Sequence, residues 1–266
     1  MTRAIAFRDV REHWRVLLAW AITAAALISL QVSVYPTVQR SSAGLKQFIE
    51  QYPDVFKKVF RIQDYTSGPG YLGTELFSLM LPLVFIAVGA SWGAGFTAEE
   101  EERGTADVLF TLPISRTRVL VGKSSAVIGS LLLVAGICLA ALVPGVALAD
   151  MKVSTSRLAA GVAVCACLGV LFATFGALLG ALVGRKGAAL GISVGVALVL
   201  FVFYSLAPLV NTFDAVLPYN PFQWTLGSNP LTTSFDAMAV VKPLGLSAVF
   251  LALAMWAFRR RDLRQV

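Results

Sequence analysis

The 266-residue chain has one histidine, three cysteines and few charges, with Asp, Glu, Lys and Arg together at 14%. A soluble globular domain carries about 25% charged residues, so too little polar surface exists here for water on every side. One histidine cannot supply the His/Glu cluster of an intramembrane metalloprotease. Cys138, Cys165 and Cys167 all lie inside apolar runs; an odd number so placed reads as small apolar filler, not a disulfide or a metal site. Ionisable residues are nearly missing from the middle of those runs, where proton- and ion-coupled carriers keep theirs. The net charge of +7 gathers at the ends of the runs, which argues against a nucleic-acid partner.

What is present is apolar. Hydrophobic residues make up 57% of the chain and the mean hydropathy is +0.76. A helix needs about 20 mostly apolar residues to cross a hydrocarbon core of roughly 30 Å. Six spans are expected, at about 16–37, 75–98, 119–149, 158–184, 187–210 and 238–258. The sixth reaches that length only if Lys242 snorkels to the interface. The first is too long for the apolar region of a signal peptide, so it is expected to be retained. The expected fold is all-α: one polytopic transmembrane domain over residues 1–266.

Lys and Arg set the orientation. Fourteen lie on the side of the two termini, around residues 3–15, 103–123, 185–186 and 259–264, against eight on the other side. Both termini are therefore expected in the cytoplasm, with the chain in the plasma (inner) membrane. Residues 38–72 and 211–237 then lie outside. The first carries two short amphipathic stripes, Leu45-Phe48-Ile49-Tyr52 and Val55-Phe56-Val59-Phe60. The second has no Lys or Arg but several prolines and aromatics, which suits short helices that dip back where protein covers irregular backbone.

Ahead of the first span, Phe7, Val10 and Trp14 share one helical face and Arg8, Arg11 and Arg15 another. Such a segment lies in the membrane interface with its arginines toward anionic headgroups. In spans four and five, Gly176, Gly180 and Gly184 are followed, after a basic turn, by Gly187, Gly191 and Gly195. Small residues every four positions allow close backbone approach in lipid, so a tight hairpin through these faces is expected.

The cytoplasmic loop at 99–118 opens with Glu99, Glu100, Glu101 and Glu102. These do not make a metal site, because a helix turns neighbours about 100° apart. Glu99 can pair with Arg103 at i,i+4. Gly104 ends that helix, Thr105 can cap a new one with Asp107 in its first turn, and Pro113 ends it. Ser115 can cap the next span. The short helix at 105–112 then presents Leu109 and Leu112 to water, which is unfavourable unless a partner covers them.

The string Glu99 to Leu109, with Pro113-Ile114-Ser115-Arg116 and Gly122-Lys123, resembles the signature of the ABC-2 type permeases, the membrane subunits of ATP-binding cassette transporters. The six-span layout is similar, as are the amphipathic elbow and the Pro-Phe-rich region before the last span. The resemblance implies that 105–112 is a coupling helix seated in a separate ATPase subunit, flanked by Glu99, Glu100, Glu102 and Arg103 on one side and Arg116 and Lys123 on the other. It implies export, a second permease copy as homo- or heterodimer, and ATP and Mg held in the partner ATPase. No cofactor is expected in this chain: Val121-Gly122-Lys123-Ser124 imitates the end of a phosphate loop, but Thr117 stands where its first glycine is needed. The alternatives are an ion-coupled secondary transporter and a non-transporting structural membrane protein.

Overall fold

The computed structural model describes residues 2–41, 44, 51, 65–102 and 116–260. Among these residues every regular element is helical. In chain order they are α1 (Thr2–Arg40), α2 (Gly68–Leu72), a π-helix π1 (Gly73–Met80), α3 (Leu81–Glu102), α4 (Arg116–Leu148), α5 (Thr155–Val183), α6 (Lys186–Leu206), α7 (Pro221–Leu226) and α8 (Met238–Arg260). Three short 3-10 turns, Ala207–Leu209, Asn211–Ala215 and Leu217–Tyr219, join α6 to α7. Six helices are long and apolar enough to cross a membrane, with α2, π1 and α3 forming one of them.

The amphipathic start of the chain and the first span are one unbroken helix, α1. No glycine or proline interrupts the chain between Thr2 and Tyr35, so nothing forces the turn into the bilayer that a separate elbow would need. The sixth span begins at Met238 and carries both Lys242 and Pro243 inside it.

α5 is the centre of the bundle, touching α3, α4, α6, α7 and α8. Lipid offers no hydrophobic force to drive helices together, so close backbone packing of small residues must do it. α3 and α5 meet in this way. A Cβ on Gly89 would lie 2.0 Å from the Gly169 carbonyl oxygen, and one on Gly93 would lie 2.0 Å from that of Ala173. α1 packs on α4, with Gly145 of α4 against Val32. The other faces of α1, α6 and α8 expose leucine and valine, Leu198 and Val199 of α6 at 60% and 68% among them. Such faces suit lipid or another protein. Cys138, Cys165 and Cys167 are free and buried.

The expected glycine hairpin is corrected. Gly176 packs on α3, its Cβ position 3.0 Å from the Ala94 nitrogen, while Gly187, Gly191 and Gly195 have nothing within 4 Å. Gly180 is buried within α5, and Gly184 ends that helix in the left-handed region at φ 68°. The left-handed cap turns the chain so that the second glycine face points away from the bundle.

At one end of the bundle a polar cluster ties α1 to the start of the second span. The Tyr71 hydroxyl donates to Gln31 Oε1 at 2.7 Å, and Gln31 Nε2 donates to Met80 Sδ at 3.3 Å. Tyr65, just before α2, donates to Glu75 Oε1 at 2.6 Å. Burial, reinforced by that carboxyl group, raises the Tyr65 pKa above the ordinary phenol value. The segment at 211–237 folds back on this end. Asn220 caps α7 by accepting the Phe222 N–H at 2.9 Å and donates to the Leu200 carbonyl of α6 at 2.9 Å. Phe222 and Thr225 are buried, so irregular backbone here is covered by protein, as a re-entrant segment requires.

Candidate coupling site

The end of α3 and the start of α4 define where the loop at 103–115 is rooted. Arg103, Gly104, Thr105, Asp107, Leu109, Leu112, Pro113 and Ser115 lie outside the described residues, as do the two external stripes at 45–60. Glu100 belongs to α3 and Arg116 opens α4.

Glu99 and Glu102 are turned to other helices of the same chain. Glu99 Oε2 lies 2.9 Å from Lys186 Nζ and 3.7 Å from His13 Nε2. Gly95, one turn earlier, leaves the room: a Cβ there would lie 2.7 Å from that oxygen. Glu102 Oε1 accepts the backbone N–H of Lys186 at 2.9 Å. The first N–H groups of a helix have no partner within it and carry the positive end of its dipole. α6 starts at Lys186, and its cap residue Arg185 makes no side-chain capping bond. A carboxyl group from α3 therefore does the capping.

His13 completes the junction, its ring 5.1 Å from that of Trp92 on α3. The fold puts the chain's single histidine where α1 meets α3. Three helices, α1, α3 and α6, thus converge where the loop at 103–115 begins. Lys186 was visible in the sequence only as part of a basic turn. Its partners lie 84 and 87 residues away, beyond any local pattern.

Lys123 is 6% exposed on α4. In the amphipathic segment Phe7 and Trp14 are 71% and 51% exposed, Val10 is half-buried, and Arg11 and Arg15 are exposed. The side chain of Arg8 lies outside the described set.

A bundle with six membrane-crossing helices and lipid-suited outer faces is a multi-pass membrane protein. The family of ABC-2 family transporter proteins matches residues 3–263, and the chain belongs to it. It is thus a permease component of an ABC transporter; such components are generally not catalytic themselves and work in general with an ABC ATPase. No curated protein matches the chain.

Proposed function

We propose that this chain forms half of an export pathway, pairs with a second permease copy and is driven by a separate ABC ATPase seated on the loop at 99–118. ATP and Mg belong to that partner. Both termini and the loop face the cytoplasm across the inner membrane. The observation that carries the reading is the junction of Glu99 and Glu102 with Lys186 and His13 at the root of the loop. A force applied to 105–112 enters α3 and α4 directly, and the junction offers a route from α3 into α1 and α6. ATP-driven movement of the partner would then change the population of inward and outward states. The open glycine face of α6 supports a second copy, since small residues admit a neighbouring helix closely.

Purification of the chain with a candidate ATPase, followed by ATP hydrolysis and transport in proteoliposomes, tests this reading. Leu109→Asp should bury an unpaired carboxylate in the partner's groove, at a cost of about 3–5 kcal/mol, and abolish association. Intact association and unchanged coupling in Leu109→Asp would remove the coupling assignment. Recovery of no ATPase partner would favour an ion-coupled carrier.

A further inference from the structure

At the end of the bundle opposite the Glu99–Lys186 junction lies a cavity of about 180 Å³. π1 and α5 form two of its walls, and α7 with the turn at 227–233 closes it. None of its lining residues is charged. Two features set it apart from an ordinary packing gap.

The first is its wall. Eight residues of π-helix are rare, and π segments inside α-helices concentrate at functional sites. Here Thr74, Phe77 and Ser78 of π1 lie together on the cavity side. The facing turn is held rigidly. The buried Leu231 gives its carbonyl to Arg157 Nη1 at 3.1 Å, and its N–H is taken by Asn229 Oδ1 at 3.0 Å.

The second is the state of its hydroxyl groups. Ser78 donates to the Thr74 carbonyl. Thr225 donates to that of Pro221 at 2.8 Å, and Thr232 and Thr233 both donate to that of Asn229, at 3.3 and 2.8 Å. A hydroxyl has one proton and two lone pairs. All four have committed the proton to backbone, so what they retain for a ligand is acceptor capacity. Neither a cation nor an anion would meet an opposite charge among the lining residues, and an unpaired charge is costly in a partly dry site. A neutral ligand with several O–H donors fits. The aromatic rings of Phe77 and Tyr204 among the lining residues match the C–H faces such a molecule also has.

We infer that this cavity binds an uncharged, hydroxyl-rich ligand of the sugar or polyol class, which donates to Ser78, Thr232 and Thr233. The site goes beyond the transport reading and does not depend on an ATPase. The test uses the full chain in lipid nanodiscs and saturation-transfer NMR with glucose, inositol and glycerol as probes. Glucosamine and glucuronate serve as charged comparisons, and fully O-methylated glucose lacks donors. At least one neutral probe should give saturable transfer, the methylated sugar none, and the charged sugars binding weaker by about tenfold or more. Thr232→Val and Thr233→Val should each weaken the neutral probe about tenfold; both residues are exposed, so both variants should fold. Absence of saturable transfer with all three neutral probes, equal binding of the methylated sugar, or unchanged affinity in Thr233→Val would overturn the assignment.

Discussion

Gly89 and Gly93 lie one turn apart on α3, and each lets a carbonyl of α5 approach to a distance no side chain would allow. Adding even a methyl group at Gly93 must push the two most intimately packed helices apart. Overpacking of this kind costs about 1–3 kcal/mol. Gly93→Ala should therefore lower stability by that order in denaturant unfolding in mixed micelles. Gly191→Ala should leave the stability of the single chain unchanged, because its face is open. Gly191→Leu should weaken self-association, read by cross-linking, without unfolding the chain. The same glycine spacing, four residues, occurs at both places in the sequence. Spacing marks a face that can approach closely; it does not say which neighbour arrives.

Among the elements, the meeting of α3 with α6 has the clearest mechanical meaning. The Glu99–Lys186 pair is partly exposed, so its contribution to stability is about 0–1 kcal/mol. Its role in transmission can be much larger than its energy, since it lies between the loop root and α6. Lys186→Glu should leave the thermal midpoint within a few degrees while reducing ATP-driven transport several-fold in the reconstituted complex. The double variant Glu99→Lys with Lys186→Glu should restore much of that loss. Loss of transport without rescue by the swap would show that the pair is not the transmitting contact. The N-terminal amphipathic stripe was legible because a 3.6-residue period is local, yet its continuity with the first span became visible only in α1 as a whole. The capping of α6 by Glu102 was illegible, because a carboxyl group borrowed from another helix leaves no local signature.

For the whole molecule, the bundle places Glu102 and Lys186 at one end and the cavity with Thr233 at the other. The excess of Lys and Arg on the termini's side predicts that the first end faces the cytoplasm. In intact cells, Thr233→Cys should react with an impermeant thiol reagent and Glu102→Cys should react only after permeabilisation. The native cysteines are buried and should stay silent. Reversed labelling would invert the orientation and with it the side from which an ATPase could reach 105–112.

The six spans and the membrane class followed from composition and run length alone, because a hydrocarbon core admits only long apolar helices with every backbone group satisfied. Family membership, too, was legible from the string around Glu99 to Lys123, since a linear motif needs no partner to be read. Only the tertiary structure decided that Gly89 and Gly93 are the close contact while Gly187, Gly191 and Gly195 face outward. The same holds for the pairing of Glu99 with Lys186 and for the cavity between π1, α5 and the turn at 227–233. In lipid nearly every helix face is apolar, so hydrophobic pattern carries little information about which faces meet. That choice rests on shape and on a few polar groups brought together from distant parts of the chain.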